Sequence, residues 1–333
     1  MIINSNNLRA VSNTRERKLC VVGVGPWGRS HIRTLDALDA LGGVVDVIPE
    51  KLHIVEEKYP EAITLNSVEQ ALVYGFDGFI VSTPPSTHYE IGKKILEAGF
   101  PVLIEKPMTL KISDTKDLIE IAEDARLCLM VGHVLLFHPA VRKIKAMINE
   151  GKIGKLQYIY SNRLNLGQVR TEENVFWSLA PHDIAIFQYL TKSYPKAVKA
   201  HGSTYLQQGI HDSTLTILEY PDNVKGHIFV SWLHPFKEHR LVVIGSEGML
   251  SFDDSSEGKP LKHYKKKFDL DGLVPVKIDG PMKNISYDDK MPLTEELKYF
   301  IDHLDNGRPK ISNGKHALEV ITILTEASKQ LNE

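Results

Sequence analysis

The segment Lys18–Arg29 (KLCVVGVGPWGR) limits what this chain can fold into more than any other stretch. A short apolar run, Leu19–Gly23, leads into Gly23-Val-Gly25-Pro-Trp-Gly28, and a helical pattern, Trp27–Leu38, leads out of it. GxGxxG alone is a weak signal, but between a strand and a helix it marks a dinucleotide-binding turn. Gly23 permits the tight turn, Gly25 lets the backbone approach a pyrophosphate, and Gly28 lets helix and strand pack closely. The helix start adds free N–H groups and partial positive charge for phosphates. Pro26 and Trp27, inside the turn, belong to the same candidate cofactor site.

From Lys18 to Gly132 apolar runs alternate with helical stretches. Strands are predicted at Leu19–Gly23, Val44–Ile48, Gly78–Ser82, Val102–Ile104 and Leu127–Gly132. Helices are predicted near Trp27–Leu38, Leu52–Tyr59, Val68–Val73, Tyr89–Ala98 and Asp114–Ala125. Runs without polar alternation suit strands covered on both faces. Their alternation with helices predicts right-handed parallel βαβ units. After Pro139 the rhythm changes. A helix over 140–150, a strand over Leu156–Asn165 and a helix over Val175–Leu190 come first. Strands at Ala197–Tyr205, Ser213–Tyr220, Lys225–Leu233, His239–Gly245 and Gly248–Phe252 then follow without intervening helices, the pattern of an antiparallel sheet. Residues 253–291, charged and rich in Gly and Pro, read as mostly loop, and helices at Leu293–Leu304 and Lys315–Leu331 close the chain.

The expected fold class is α/β. A polar, mobile tail covers residues 1–17, a Rossmann-type parallel-sheet domain 18–135, and an α+β domain with a large, mainly antiparallel open sheet 136–333. The length of 333 residues agrees with two domains, at roughly 100–200 residues each.

Composition narrows the partners. The 40 basic and 42 acidic side chains leave a net charge of -2, so no domain-wide basic bias points to nucleic acid. The local run Lys262–Lys267 (KHYKKK) reads as a solvated face or loop. Cys20 and Cys128 sit in apolar runs, as small buried hydrophobes do in a reducing compartment. The N-terminus lacks the apolar core of a signal peptide, and no stretch is long enough to span a bilayer. A cytoplasmic protein with no membrane partner and no metal is expected.

Asp46 ends the second strand about 20 residues past the glycines, where an acid takes the adenosine ribose hydroxyls and repels a 2′-phosphate. NAD is therefore expected over NADP, although Lys51 lies nearby. Ser82-Thr-Pro-Pro-Ser-Thr-His88 follows the strand Gly78–Ser82, with two prolines stiffening a loop at the carboxyl end of the sheet. Ser82, Thr83 and Pro84 are candidates to border the cofactor, and His88 either joins them or only starts a helix. Glu105-Lys106-Pro107 ends another strand. Lys106 is either a base for a substrate hydroxyl, its pKa lowered near a positive nicotinamide and Glu105 orienting it, or a surface lysine beside a turn proline. His182, in WSLAPHDI, follows Arg163, Asn165, Arg170 and Asn174 and precedes Asp183. That concentration of hydrogen-bonding groups suits a polar, anionic ligand, and arginine forks match phosphate or carboxylate oxygens. Lys237 is a weaker candidate for the same work.

The combination of GVGPWG, STPPSTH, EKP and the mid-chain histidine resembles the Gfo/Idh/MocA family of sugar-type oxidoreductases, from Lys18 to about Leu331. NRLNLGQVR (162–170), GHVLLFHPAV (132–141) and SWLHPFKEHRLVVIGSEGML (231–250) are similar to the WlbA-like branch, which oxidises C3 of UDP-linked N-acetylhexosamines and their uronates. The resemblance implies that Lys106 and His182 flank the carbon that loses hydride. It also implies an aspartate four positions before the histidine; here Ser178 stands there, so a carboxylate to hold the histidine is missing unless Asp183 does that work, and the expected base moves towards Lys106. NAD as cofactor, a UDP-linked amino sugar as substrate, a downstream transaminase in a lipopolysaccharide or other amino-sugar pathway, and a homodimer or homotetramer follow as expectations. Another sugar or cyclitol dehydrogenase, or a non-catalytic NAD(H)-binding regulator, are the alternatives.

Overall fold

The computed structural model describes residues 16–171, 173–270, 272–305 and 307–331. Of the expected polar tail, residues 1–15 lie outside these. Arg17 is described, and its guanidinium pairs with Asp77 at 3.0 Å.

The first part runs β1 (Leu19–Val22), α1 (Pro26–Asp36), β2 (Leu41–Val45), α2 (Pro49–Lys58), β3 (Ile63–Leu65), α3 (Val68–Ala71), β4 (Gly78–Val81), α4 (His88–Glu97), β5 (Val102–Glu105), α5 (Ile112–Asp124) and β6 (Leu129–Gly132). Among the described residues it forms a six-stranded parallel sheet in the order β3-β2-β1-β4-β5-β6. Strand order reverses between β1 and β4, and ligands bind outside the carboxyl ends at such a point. β1, β2, β4, β5 and β6 are buried along their whole length, as their unbroken apolar runs predict. Cys20 and Cys128 are free thiols in this core.

Two elements differ from the sequence expectation. β2 begins at Leu41 and stops at Val45, not Val44–Ile48. Gly42 and Gly43 carry no side chain to mark them as strand; the Phe76 ring fills that space, and a Cβ on Gly43 would lie 2.4 Å from it. The short edge strand β3 was not expected, since only Leu65 of its three residues is buried.

The second part contains α6 (Pro139–Asn149), β7 (Leu156–Leu166), α7 (Val175–Thr191), β8 (Ala197–Ser203), β9 (Ser213–Glu219), β10 (Lys225–Ser231), β11 (Leu233–Gly245), β12 (Met249–Asp253), β13 (Leu261–Tyr264), β14 (Lys267–Asp269), β15 (Val276–Ile278), β16 (Met282–Ile285), α8 (Pro292–Asp302) and α9 (Gly314–Leu331). Its eight-stranded sheet has the order β16-β13-β12-β11-β7-β10-β9-β8. Among the described residues only the β7–β10 pairing in it is parallel. β13 to β16 correct the expectation of loop over 253–291. In β13, Leu261 and His263 point inward while Lys262 and Tyr264 are half-exposed, so part of the lysine run is the outward period of a strand.

One apolar cluster runs through both parts, from Leu19, Val21 and Leu103 to Phe176, Phe187 and Phe300. Side chains of this size stabilise by about 1.5–3 kcal/mol each when fully buried, so the two sheets share a continuous core. The segment before α9 adds to the edge of β6: Val131 N–H donates to the Ser312 carbonyl at 2.8 Å. Among the described residues no helix is long and apolar enough to cross a membrane.

Candidate active site

The glycine turn has the geometry its motif requires. Gly23 has φ +100°, and a Cβ there would meet the Ser82 carbonyl oxygen at 2.9 Å. A Cβ on Gly28 would lie 1.9 Å from the Gly23 carbonyl oxygen. Gly25 differs, since only the Ser82 oxygen, at 3.9 Å, lies near its Cβ position. The protein's own packing does not demand glycine at 25; a closely approaching pyrophosphate does. Gly25 caps α1 without any side-chain cap, and Pro26 occupies its first turn, so the helix N–H groups stay open to phosphate.

Asp46 lies at the end of β2 beside this turn. Its Oδ2 accepts from Val24 N–H at 2.7 Å and lies 3.3 Å from Lys51 Nζ; its Oδ1 accepts from Ile48 N–H at 3.0 Å. Carboxylate oxygens accept more than one hydrogen bond, so ribose hydroxyls fit beside these contacts. Val47 and Ile48 stand exposed next to it, and Trp27 is exposed at the start of α1. Ser82 Oγ bonds the Val22 and Gly23 carbonyls at 3.1 and 3.0 Å, which ties β4 to the glycine turn. Thr83 accepts from the Thr87 hydroxyl, and Pro84 opens the short turn that follows. His88 starts α4 and is buried, its ring nitrogens 2.9 Å from the Pro107 carbonyl and 2.8 Å from the Thr83 carbonyl. Burial disfavours its charged form, so the ring donates to one of these two carbonyls and packs against the other between the two loops.

Glu105 turns inward. Its Oε1 meets His31 Nε2 at 2.8 Å, and its Oε2 accepts from the Lys106 backbone N–H at 3.1 Å. Gly132, opposite it on β6, leaves room: a Cβ there would lie 2.8 Å from Oε2. The carboxylate therefore fixes the strand end, and not the lysine side chain as expected from sequence. Lys106 instead reaches across to the second part, where its Nζ donates to the Ser178 carbonyl on α7 at 3.0 Å. Burial lowers its pKa, partly countered by Glu105 and Glu173, with Arg163 and Arg170 lowering it further.

α7 is built to present this carbonyl and His182. Asn174 caps it, accepting from Trp177 N–H at 3.1 Å. Pro181 lies inside the helix and lacks the N–H that would reach the Trp177 carbonyl. His182, one turn past Ser178, has a buried Nδ1 without a partner. Burial drives its pKa well below the usual value, helped by Lys106, Arg163, His133 and His239. Asp183 does not serve His182. It takes Arg163 in a two-point pair, Nε to Oδ2 at 2.8 Å and Nη2 to Oδ1 at 3.1 Å.

Lys106, Ser178 and His182 thus meet at one place, with the Arg163–Asp183 pair beside them. Asn165 is half-buried at the end of β7. Arg170 is exposed, 3.9 Å from Glu173. Sequence reasoning missed His31, His133 and His239 here; His31, three residues after Gly28, was visible only as one more helical residue.

Residues 17–133 match the oxidoreductase family with an NAD-binding Rossmann fold, and residues 141–251 match the GFO/IDH/MocA C-terminal domain. The chain is 32% identical over 183 residues to UDP-N-acetylglucosamine 3-dehydrogenase of Acidithiobacillus ferrooxidans, covering 55% of this chain and 56% of that protein, so the match spans about half that relative's length. It is 28% identical over 254 residues to scyllo-inositol 2-dehydrogenase (NAD(+)) of Bacillus subtilis, covering 70% and 72%. A solved structure of the Acidithiobacillus ferrooxidans enzyme shares the fold with TM-score 0.84 at 22% identity, covering 96% of this chain and 98% of that one. The chain belongs to the Gfo/Idh/MocA family of NAD-binding oxidoreductases.

Proposed function

We propose that this protein oxidises the C3 hydroxyl of a UDP-N-acetyl-hexosamine, first of all UDP-N-acetylglucosaminuronate, to the 3-keto sugar nucleotide. The observation that carries this reading is the 3.0 Å contact between Lys106 Nζ and the Ser178 carbonyl, one turn before His182. It brings a desolvated amine from the cofactor crevice to the helix that carries His182, which suits removal of a hydroxyl proton beside a nicotinamide. The 32% identity to a UDP-N-acetylglucosamine 3-dehydrogenase favours the sugar nucleotide.

Bound NAD+ supplies the hydride acceptor, nicotinamide C4. Gly23 to Gly28 and the start of α1 would hold its pyrophosphate, and Asp46 its ribose hydroxyls. Lys106, in its neutral form, takes the C3 hydroxyl proton. His182 Nε2, free of hydrogen, takes that proton from Lys106 and carries it onward. Asp183 occupies the guanidinium of Arg163, so Arg170 and Lys237, both exposed, are the freer cations for diphosphate or carboxylate.

The product is a ketone, a ready substrate for a pyridoxal-type transaminase, so that class of enzyme is the expected next step. The open face of the second sheet carries Tyr158, Tyr160, Leu215, Ile217, Phe229, Val242 and Ile244, which suits a sheet-to-sheet homodimer or a tetramer built from it. Two buried free thiols fit a reducing, cytoplasmic setting.

A second reading, oxidation of a cyclitol, is favoured by the 28% identity to scyllo-inositol 2-dehydrogenase. A panel of UDP-sugars, free sugars and inositols with NAD+, read by NADH absorbance and by a carbonyl trap, separates the two. Ketone is expected with a UDP-N-acetyl sugar; ketone with inositols alone favours the second reading.

A further inference from the structure

A neutral imidazole that accepts a proton at Nε2 must carry its hydrogen on Nδ1. A buried N–H needs an acceptor. Neither Asp183, which holds Arg163, nor the Ser178 carbonyl, which holds Lys106, takes a hydrogen bond from His182 Nδ1. The titratable groups that act on His182 are Lys106, Arg163, His133 and His239. The Arg163 guanidinium cannot accept a hydrogen bond, and the Lys106 lone pair is committed to the substrate hydroxyl, so the two imidazoles are the acceptors among these groups. His239 pairs in register with Arg163 and lies half-buried in the field of Arg163, Lys237, Asp183 and Asp254.

His133 is the better candidate. It is 2% exposed, and both its ring nitrogens are buried without a partner. It follows Gly132, the register partner of Glu105, so it leaves its strand end beside Lys106. The turn 134–137 that it opens packs against α7. On its far side the ring of His316 stands edge-on, centroids 5.3 Å apart, with Nε2 also buried and unpartnered. The titratable groups acting on His133 are His316 and Lys106. Partnerless buried nitrogens are rare, yet His182, His133 and His316 carry four of them between the site and the first turn of α9. The plain alternative is that His133 and His316 are packing rings.

We propose that His133 is the positioning partner of His182: it accepts from Nδ1–H through one buried water, and keeps Nε2 open to the substrate oxygen. With His316 it passes the released proton to the half-exposed start of α9. The relay rests on the dehydrogenase reading given above. The C3–H electron pair leaves as hydride to NAD+, and the O–H pair becomes the carbonyl π bond. The hydroxyl proton enters at His182 Nε2, directly or by way of Lys106, and the Nδ1 proton moves on to His133.

Nitrogen-15 NMR of histidine-labelled holoenzyme reads the tautomers without any substrate, and histidine substitutions assign the signals. His182 is expected as the Nδ1–H tautomer in the unaltered protein. His133→Phe is expected to convert it to Nε2–H, and His133→Gln, whose amide oxygen accepts, to keep it. Single-turnover NADH formation with UDP-N-acetylglucosamine should fall about 100-fold in His133→Phe, the low end for a lost proton-transfer partner, with recovery in His133→Gln. NAD+ affinity should stay unchanged. An Nε2–H tautomer in the unaltered protein, or a His133→Phe protein with unchanged tautomer, overturns the relay, whether or not the variant is also less stable. If no sugar nucleotide is oxidised at all, the dehydrogenase reading fails while the tautomers still decide whether His133 positions His182.

Discussion

Burial holds Lys106 below the usual lysine range even though Glu105 and Glu173 act to raise it. As the proposed base it works only when neutral, so kcat/KM should climb with pH and level off below the pH of free lysine ionisation. Removing the Glu105 charge removes a raising influence. Glu105→Gln should therefore move that limb to lower pH, and an upward move in the pH–rate profile contradicts the assignment. Lys106→Met should lower kcat by at least about 100-fold while NAD+ affinity, read by titration calorimetry, stays within a few-fold. Gly28 gives a separate test of the cofactor turn. An alanine Cβ 1.9 Å from the Gly23 carbonyl oxygen forces the turn apart, so Gly28→Ala should abolish NAD+ binding and destabilise by about 1–3 kcal/mol.

α7 brings the second half of the site to the first. Its Asn174 cap should contribute about 1 kcal/mol, so Asn174→Ala should lower Tm and kcat together, and Asn174→Asp should restore both. Local features of this kind are what the sequence shows well. The glycine turn, the parallel strands and α7 all have patterns contained within a dozen residues. The start of β2 is hidden in the sequence because its first residues include two glycines, whose strand character comes from Phe76 far along the chain. β13 reads as loop from sequence because its inward residues, Leu261 and His263, are interleaved with lysine and tyrosine. The site was legible as a list of residues and not as a set of contacts. Lys106 meets Ser178 across 72 positions, and His31 meets Glu105 across 74. Nothing local told Asp183 to pair with Arg163 in place of its neighbour His182.

At the scale of the molecule, the shared core and the histidines inside it set the response to acid. Burial depresses the His316 pKa from 6.5 to about 4. A group lowered in this way binds its proton later in the folded state than in the unfolded one. Its contribution is present above pH 6.5 and is lost as pH falls towards 4. It amounts to about 3 kcal/mol. Urea midpoints between pH 4 and 7 should fall steeply in the unaltered protein and less steeply in His316→Gln; equal slopes would remove His316 from the account. The open sheet face should hold copies of the chain together. Sedimentation should give at least twice 37.5 kDa, falling to the monomer in Phe229→Glu if that face is the interface.

The central claim is hydride transfer from C3 of a sugar nucleotide, at the place where Lys106 meets α7. UDP-N-acetylglucosamine and its uronate carrying deuterium at C3 test it directly, by mass spectrometry of the NADH formed in a single turnover. Deuterium should appear in NADH with at least one of the two substrates, and with neither in Lys106→Met. NADH without deuterium, or no NADH with either substrate and a trap present, contradicts it.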